Sequence, residues 1–457
     1  MMYKYMIFLW NIIIFVDMNR WIVAAFAVLW MLPLSAQSAR EEILAEPQKA
    51  GGVYAMYERV PGQESRPPKG YKPFYISHYG RHGARFNSSN SMYDRFDQMM
   101  QKAHDDNALT EKGEDFYRRY HAQYPYCINR GGDLTEKGAN QHRGIAKRMF
   151  TNYPSVFKGS GKIDARSTNV PRCILSMDYF CDQLKRLNPK LEIEKTVTHD
   201  DMAFLNPHSL VNPSVTPTDE GYNNKYAYWQ DNYKAMCREN TNPEAFFSRL
   251  FKDWNYVKNF TDDPMKLEID FYYLACSNQC LDYEESYWDL FTQEEINLLW
   301  EADSYRFFCS KGPDDIQGGR QWAFCKTLAE DFVKGAEKDI EEGRCARLRF
   351  GHDIAIMSFM TLMNIDGWST PAPTPHDAKD LWQDYNVQMG ANIQFVFYKN
   401  RKGDIIVRFM NNEEDVLFPI ESAIAPYYDW AALKAYMEER IAVAEKIIAT
   451  TQAPPKK

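Results

Sequence analysis

The chain has 457 residues, of which 45% are hydrophobic and 25% are charged, and its formal net charge at pH 7 is −8. This composition is ordinary for a globular protein, and the length allows two or three domain-sized units. A net negative chain has no bulk positive field, which argues against nucleic acids and anionic membranes as partners. Any anion-binding site must therefore be local.

The first residues are predicted to be a targeting segment. Two apolar runs, at 6–16 and 21–34, are each shorter than the ~20 residues that a membrane-spanning helix needs. From Met18, an alternative start, the pattern is typical of a secretory signal, with Arg20 before the apolar run and cleavage after Ala36. We therefore expect a periplasmic or secreted protein without stable membrane insertion, the alternative being an uncleaved anchor.

The nine cysteines show no metal-binding pattern. An oxidising compartment allows some of them to pair, and an odd number leaves at least one unpaired. Cys276 and Cys280 are four residues apart, without a second pair at zinc-ribbon spacing. Core thiols or a disulfide are therefore favoured over a metal site, and we predict neither a metal nor a cofactor.

The N-terminal half alternates strands and helices. After an irregular lead-in, "KPFYIS" at 72–77 has the aromatic and β-branched residues of a strand. The pentapeptide "LTEKG" occurs twice, at 109–113 and 134–138, and Thr110 and Thr135 are each predicted to cap a helix. Two copies of five residues indicate a reused helix start rather than an internal repeat.

The middle of the chain predicts a strand at 162–168, a helix at 171–187 with Pro171 in its first turn, and a strand at 191–197. From about residue 200 the sequence becomes aromatic, acidic and helical. One helix is predicted to begin at Asn242 and to present an apolar face as far as Trp254.

The strand–helix pattern then returns. A strand at 345–350 precedes a helix for which Gly367 is the predicted C-cap, and the runs at 393–400 and 404–410 predict a hairpin. The fold class is therefore α/β, with a core sheet flanked by helices and an inserted, mostly α-helical domain. The predicted boundaries are a signal peptide at 1–36, the first core part at 37–199, the helical insertion at 200–344, the second core part at 345–440 and a C-terminal tail at 441–457.

The stretch "YISHYGRHGARF" places Arg81, His82 and Arg85 in a glycine-rich loop after the first strand. Side chains at that end of an α/β sheet are placed to bind ligands, and arginine forks match phosphate oxygens. A histidine between two arginines has its charged form disfavoured, so it stays neutral and nucleophilic. The alternative is a salt-bridged surface loop.

A second strand end carries His352 and Asp353 at the start of a helix, where negative charge is stabilised. An acid next to a bound anion is expected to have a raised pKa, which suits a general acid; the alternative is a helix cap. The stretch "ARSTNVPRC" follows the middle strand and offers Arg166 and Arg172, either of which could supply a third guanidinium.

Taken together, "RHGAR" at 81–85 and a distant "HD" at 352–353 resemble the histidine acid phosphatase branch of the histidine phosphatase superfamily. "LTEKG" at 134–138 and "STNVPRC" at 167–173 resemble further motifs of that branch. The resemblance extends from about 72 to 430. It implies a histidine-phosphatase-like core sheet and a metal-independent phosphoric monoester hydrolase.

The resemblance also implies a role for each matching residue. His82 is the expected nucleophile, which forms a phosphohistidine, and Asp353 is the expected proton donor to the leaving group. The residues expected to hold the phosphate are Arg81, Arg85, Arg172 and His352.

Two features bear on the subfamily. Members of this branch often have a proline two residues after the second arginine, where this chain has Asn87. Multiple inositol polyphosphate phosphatases usually carry His-Ala-Glu where this chain has His-Asp-Ile, the pattern of bacterial phytases, glucose-1-phosphatases and general acid phosphatases. Phytate or another inositol polyphosphate is the expected small-molecule substrate.

Sugar phosphates, or phosphate esters in general, are the alternative substrates. The alternative from another class is a non-catalytic phosphate-ester binding protein, and a mutase-like transferase is disfavoured by the export signal. The sequence indicates no particular oligomeric state.

Overall fold

A computed structural model of the protein describes residues 38–57, 59, 65–207, 229–313 and 320–450, so the predicted signal peptide at 1–36 lies outside the described residues. Residues from Ile43 onward form one compact unit, and the chain before Ile43 belongs to a second unit. In the described ranges, no helix is both long and apolar enough to cross a membrane.

Within these ranges eight strands form one mixed sheet in the order β3-β2-β4-β1-β5-β6-β7, with β8 paired to β6. The strands are β1 Lys72–Arg81, β2 Lys162–Ser167, β3 Glu192–Thr196, β4 Ala346–Gly351, β5 Asn392–Lys399, β6 Ile405–Asn411, β7 Glu414–Asp415 and β8 Tyr427–Asp429. The pairs from β3 to β1 are parallel, and those from β1 onward are antiparallel. The predicted hairpin is confirmed as β5 and β6.

The helices of the described ranges surround this sheet. They are α1 Ala39–Ala45, α2 Asn90–Asp105, α3 Glu111–Cys127, α4 Glu136–Asn152, α5 Pro171–Leu187, α6 Met202–Leu205, α7 Trp229–Asn240, α8 Pro243–Phe247, α9 Pro264–Asn278, α10 Gln293–Lys311, α11 Arg320–Ala323, α12 Lys326–Glu341, α13 Asp353–Leu362, α14 Ala378–Leu381 and α15 Trp430–Thr450. Short 3-10 helices lie at Pro47–Tyr54, Trp254–Asn259, Trp288–Leu290, Pro375–Asp377 and Asp384–Asn386. The α/β fold class is thus confirmed.

The central strand β1 is buried on both faces, as expected for a strand with helices above and below it. Tyr75 and Tyr79 point into one apolar cluster, which also contains side chains of α12, α13 and α15. Ile76 points into the other cluster, with side chains of α4 and α5. This two-sided burial fixes the end of β1, from which the functional loop starts.

The helical segment predicted at 200–344 lies in the same compact unit as the sheet. Its last helix, α12, packs against β1 and β4 and so belongs to the layer on the sheet. The tail predicted at 441–457 begins inside α15, which continues to Thr450 because Ile441 and Ala444 are buried.

Two helix ends differ from the sequence prediction. The helix predicted from Asn242 to Trp254 is only the short α8, which ends at Phe247. The predicted C-cap at Gly367 is wrong, because α13 ends at Leu362 and Asn364 takes the left-handed backbone conformation with φ 53°.

All nine cysteines lie in the described ranges and are buried, and no disulfide joins them there. The sequence had left such pairing open. Burial raises the pKa of the Cys280 thiol to about 11, which keeps that group protonated at neutral pH.

Candidate active site

The parallel register of the sheet brings three strand ends to one edge. Arg81 at the end of β1 is opposite Gly351 at the end of β4. Ser167 at the end of β2 is opposite Phe350, one residue earlier in β4. The residues that follow these strands therefore meet at the carboxyl edge of the sheet, where α/β folds bind ligands.

His82 is buried at the centre of this edge. Its backbone N–H donates to the Gly351 carbonyl at 3.0 Å, and its own carbonyl accepts from the Gly390 N–H at 3.1 Å. The Nδ1 atom lies 2.9 Å from the Gly83 carbonyl, so Nδ1 carries the proton and donates it, which leaves the lone pair on Nε2. Burial, and then the charges of Arg81 and Arg172, hold the pKa of His82 well below its usual value. The imidazole is therefore neutral, as predicted.

The loop around His82 is held by the start of α4. A Cβ atom on Gly83 would lie 2.4 Å from the Gly138 carbonyl oxygen, so the two backbones approach as closely as glycines allow. The Thr135 N–H donates to the Ala84 carbonyl at 2.9 Å, and the Ala84 N–H donates to Gln141 Oε1 at 2.9 Å. The second "LTEKG" copy thus fixes the path of the loop that carries His82.

Arg81 is completely buried, and three oxygen atoms lie around the two terminal nitrogens of its guanidinium. Its Nη2 atom lies 2.8 Å from Asp353 Oδ2. Its Nη1 atom donates to the carbonyl oxygens of Val53 and, at 2.9 Å, of Val387. The guanidinium is therefore oriented by two backbone carbonyls and one carboxylate.

Arg85 lies beside the aromatic ring of Tyr54. Its guanidinium carbon is 5.2 Å from the ring centroid of Tyr54, a cation–π distance. Its Nη1 atom donates to the Phe86 carbonyl at 2.9 Å. Sequence reasoning missed Tyr54, which carries no motif and lies in the lead-in segment.

The choice between Arg166 and Arg172, left open by the sequence, is decided by ion pairs. Arg166 forms salt bridges with Asp164 at 3.0 Å and with Asp201 at 2.7 Å. The charge of Arg172 instead acts on His82 and lowers its pKa. Burial, opposed by Cys173 and reinforced by Arg85, lowers the pKa of Arg172 itself. Of the two arginines, Arg172 is therefore the one whose charge reaches His82.

His352 lies across from His82, with their ring centroids 5.8 Å apart. Its backbone N–H donates to the Tyr79 hydroxyl at 2.9 Å, and its Nε2 atom lies 3.4 Å from Thr168 Oγ1. Burial lowers the pKa of His352 to about 4, with Asp353 opposing the shift and Arg172 reinforcing it. The ring is thus neutral and lies beside His82 at the carboxyl edge of the sheet.

Asp353 is the first residue of α13 and not its cap, since the cap position belongs to His352. Its Oδ1 atom accepts the Ile354 N–H at 2.8 Å. Burial acts to raise the pKa of Asp353, but the charges of Arg81 and His352 outweigh it, and the pKa lies below the usual value. The rise predicted from the sequence requires a phosphate beside the carboxyl group; without one, Arg81 keeps Asp353 ionised.

The structure brings together all six residues that the sequence singled out, and it adds others. Lys311 at the end of α10 is buried, and burial lowers its pKa to about 8 against the attraction of Asp353. The carbonyls of Val53 and Val387 could not have been predicted from the sequence, because a backbone carbonyl leaves no signal in residue type.

His78 packs beneath the loop, with its ring centroid 5.3 Å from that of Phe180.

Asn87 occupies the position at which related sequences often have proline, and its backbone N–H forms a hydrogen bond that proline could not form. That N–H donates to the Tyr93 hydroxyl at 2.8 Å, and the Asn87 side chain accepts the Ser89 N–H at 3.1 Å. Proline has no N–H to donate. The loop wall after Arg85 is therefore fixed by hydrogen bonds instead of a pyrrolidine ring.

In the described part of the chain, no group of three or more histidine, cysteine or carboxylate side chains is arranged to hold a metal ion. The chemistry that these residues offer is a neutral imidazole nucleophile, a set of guanidinium groups for an anion and one carboxyl group.

Comparison with known proteins agrees with this geometry. The model of the histidine phosphatase superfamily (branch 2) matches residues 80–412. The fold resembles that of a multiple inositol polyphosphate phosphatase from Bifidobacterium longum solved with inositol hexasulfate, with a TM-score of 0.69, 20% identity, and 85% of this chain and 97% of that chain covered. It also resembles the phytase from D. castellii, with a TM-score of 0.63, 16% identity, and 89% and 88% of the two chains covered. No match was found among curated proteins.

Proposed function

Because the chain belongs to branch 2 of the histidine phosphatase superfamily, we propose that it is an exported phosphomonoesterase that works through a phosphohistidine at His82. The observation that carries the proposal is a buried histidine that stays neutral because burial, and then the charges of Arg81, Arg172 and Arg85, lower its pKa. The substrate class we propose is inositol polyphosphates, with phytate first.

In the first step, the guanidiniums of Arg81, Arg85 and Arg172 bind the oxygens of a phosphate monoester. The Nε2 lone pair of His82 then attacks phosphorus while the bond to the ester oxygen breaks. The Nδ1–H of His82, held by the Gly83 carbonyl, stabilises the positive charge that develops on the ring. The arginines balance the negative charge on the phosphoryl oxygens.

Asp353 supplies the proton to the leaving oxygen. A bound phosphate dianion competes for Arg81 and repels the carboxylate, so phosphate binding raises the pKa of Asp353 from its low ligand-free value. The protonated group then donates to the departing alkoxide. In the second step the Asp353 carboxylate takes a proton from a water molecule that attacks the phosphohistidine, which releases phosphate and restores both residues.

The substrate class is supported by the inositol phosphatase and phytase folds that the chain resembles. Sugar phosphates or phosphate esters in general remain the alternative. A non-catalytic phosphate-ester binder is disfavoured, since binding alone needs neither a neutral nucleophile nor an acid.

The test is release of phosphate from phytate, glucose 1-phosphate and an aryl phosphate. We expect turnover of all three, with phytate preferred, and no inhibition by EDTA because the proposed chemistry uses only side chains.

His82→Ala is expected to abolish turnover and the acid-labile phosphoenzyme. His121→Ala, a change at an exposed histidine paired with Asp97, is the matched control and is expected to behave as wild type. Turnover by His82→Ala near the wild-type rate, or metal-restored activity, would refute the mechanism.

The role of Asp353 is tested with two leaving groups. Asp353→Asn is expected to slow release of an inositol hydroxyl far more than release of a nitrophenol, which needs little proton assistance. The measurement is the ratio of wild-type to mutant phosphorylation rates for each substrate. Equal losses would mean that Asp353 only positions the phosphate or the start of its helix.

Export is proposed from the N-terminal sequence alone. Expression of the full chain in a bacterial host, followed by fractionation and N-terminal sequencing, is expected to yield a periplasmic or secreted protein that begins after Ala36. A protein recovered at full length in the membrane fraction would favour the uncleaved anchor.

A further inference from the structure

We propose that Asp384 is a positioning residue that holds Arg81 in place for the phosphate. This inference rests on the proposed function, since Arg81 is there a phosphate ligand. Asp384 does not contact the cavity residues His82 or Asp353; it acts on Arg81 through the backbone of two other residues, Val53 and Val387.

The first connection runs through Val53. Arg81 Nη1 donates to the Val53 carbonyl oxygen, and the Val53 backbone N–H donates to Asp384 Oδ2 at 3.2 Å. The Arg81 guanidinium and the Asp384 carboxyl group thus bind the backbone C=O and the backbone N–H of the same residue, Val53. A shift of the Asp384 carboxyl group moves the carbonyl that orients Arg81.

The second connection runs through Val387. The Val387 N–H donates to the Asp384 backbone carbonyl at 2.9 Å, which closes the 3-10 turn Asp384–Asn386. The carbonyl oxygen of Val387 accepts from Arg81 Nη1 at 2.9 Å. The link to Val387 uses the Asp384 backbone and the link to Val53 uses its side chain, so a substitution at Asp384 tests the link through Val53.

The segment before Val53 is shaped to receive this carboxyl group. Gly52 has a φ of 53°, in the left-handed region that glycine tolerates. A Cβ atom there would lie 2.3 Å from Asp384 Oδ2, so the carboxyl group lies directly against the glycine backbone. The next residue after Val53 is Tyr54, whose ring lies under Arg85. One short segment thus serves two arginines of the site.

Asp384 is itself fixed from the other side. The Trp300 Nε1–H on α10 donates to Asp384 Oδ1 at 2.9 Å. Burial raises the pKa of Asp384 to about 7, Asp303 adds to the rise, and Trp300, the Val53 N–H and Arg306 oppose it. A buried carboxyl group is costly for a fold, and here one oxygen holds the backbone of Val53 while the other accepts from the Trp300 side chain.

The helical segment contains a matched carboxyl group that does not touch the site. Glu268 on α9 is also buried, burial raises its pKa to about 7, and it accepts one backbone N–H, that of Asn242, at 3.4 Å. Glu268→Ala therefore removes a buried carboxyl group whose hydrogen bond is with Asn242, while α9 keeps its own contact with Pro47–Tyr54 through the Tyr272 hydroxyl, which donates to the Ala50 carbonyl at 2.7 Å.

The experiment measures sulfate binding by calorimetry and phosphate-ester kinetics at mildly acid pH. Sulfate is the probe because it is a dianion that is not hydrolysed and does not titrate in this range. Asp384→Ala is expected to weaken sulfate binding about tenfold and to lower kcat/KM by a similar factor, because Arg81 loses its fixed orientation. Asp384→Asn keeps one acceptor oxygen, which can bind the Val53 N–H but leaves the amide nitrogen facing the Trp300 Nε1–H, and is expected to restore part of the binding.

Glu268→Ala is expected to lower the melting temperature as Asp384→Ala does while leaving sulfate affinity unchanged. If Asp384→Ala does not fold, Asp384→Leu, which fills the volume, takes its place with the same expectation. Wild-type sulfate affinity in Asp384→Ala, or an equal loss in Glu268→Ala, overturns the inference. A wild type that binds sulfate but hydrolyses no ester refutes only the proposed function, and one that does not bind sulfate refutes both.

Discussion

The pentapeptide Leu-Thr-Glu-Lys-Gly occurs at 109–113 and at 134–138, and in both places it begins a helix and holds a distant piece of backbone. In the first copy the Thr110 N–H donates to the Leu250 carbonyl at 3.0 Å, and Thr110 Oγ1 donates to the Arg249 carbonyl at 2.6 Å. The piece that is held connects α8 to the rest of the helical segment and contains no residue of the site.

The second copy makes the same contacts with the catalytic loop. The Thr135 N–H and Thr135 Oγ1 both donate to the Ala84 carbonyl, at 2.9 and 3.1 Å. In each copy the final glycine, Gly113 or Gly138, lies against the carbonyl that the threonine binds. One local device therefore serves a structural loop in one place and the nucleophile in the other.

The two helices diverge after the pentapeptide, and the divergence shows what the site requires. The position of Gln141, which binds the Ala84 N–H, is occupied in the first copy by Phe116, a buried ring beside Phe271. In the second copy the Gln141 amide therefore binds the backbone of the loop that carries His82, whereas in the first copy the Phe116 ring packs in the core. The pentapeptide therefore predicts a helix start that binds a distant loop. Whether that contact affects activity depends on which residues the bound loop carries.

The largest expected difference between the copies comes from their glycines. A Cβ atom at Gly138 would lie 2.2 Å from the Ala84 carbonyl oxygen, and one at Gly113 would lie 2.1 Å from that of Leu250. Gly138→Ala and Gly113→Ala are each expected to lower the free energy of unfolding by about 1–3 kcal/mol. Only Gly138→Ala should also lower kcat/KM, by about 100-fold, because it displaces the loop that carries His82.

Urea unfolding and phosphate release measured on both variants check this prediction. An equal loss of activity in the two variants would mean that the first copy also supports the site, and the distinction drawn between them would be wrong.

The next difference is in the response to acid. Burial, only partly offset by the nearby Arg81 carbonyl, lowers the pKa of His142 to about 3, whereas the matching residue of the first copy is Tyr117. The folded protein binds fewer protons at His142 than the unfolded chain between about pH 3 and 6.5, so this stability is present above pH 6.5 and is lost as the pH falls. In His142→Phe, the loss of stability between about pH 6.5 and 5 is expected to be smaller by about 2 kcal/mol.

The measurement is the free energy of unfolding as a function of pH. Tyr117→Phe is the matched control and is expected to keep the wild-type slope. An unchanged slope in His142→Phe would mean that other buried histidines, such as His78, account for the acid sensitivity.

Much of the fold could be predicted because local signals agreed with the tertiary structure. The helix at 171–187 matches α5, since Pro171 suits a first turn, and both threonine caps are confirmed. That the candidate site residues meet could be predicted for a related reason: they follow strand ends, and the parallel register of β1, β2 and β4 brings those ends together.

The errors arise where tertiary contacts override local pattern. The apolar face beyond Phe247 favours a longer helix, but the backbone at 249–251 is held by the first pentapeptide, so α8 ends early. At the end of α13 the sequence favoured Gly367 as the C-cap, but Asn364 is the residue that adopts the left-handed conformation directly after the helix. The carbonyl of Val53 could not be predicted because any residue type provides one.

The smallest expected difference comes from the capping hydroxyls. Thr135 Oγ1 accepts the Gly138 N–H at 3.2 Å, and Thr110 Oγ1 accepts the Gly113 N–H at 3.1 Å. Thr135→Val and Thr110→Val preserve shape and the backbone N–H that binds the distant carbonyl, and each is expected to cost about 1 kcal/mol of stability, measured by urea unfolding. Thr135→Val should in addition lower kcat/KM by about three- to fivefold, because the hydroxyl no longer donates to the Ala84 carbonyl and the catalytic loop gains freedom. Thr110→Val, which frees only the loop at Arg249, should keep the wild-type kcat/KM. If both variants lose stability equally and neither loses activity, the backbone contacts alone hold the nucleophile, and the hydroxyl of the second copy serves only its helix.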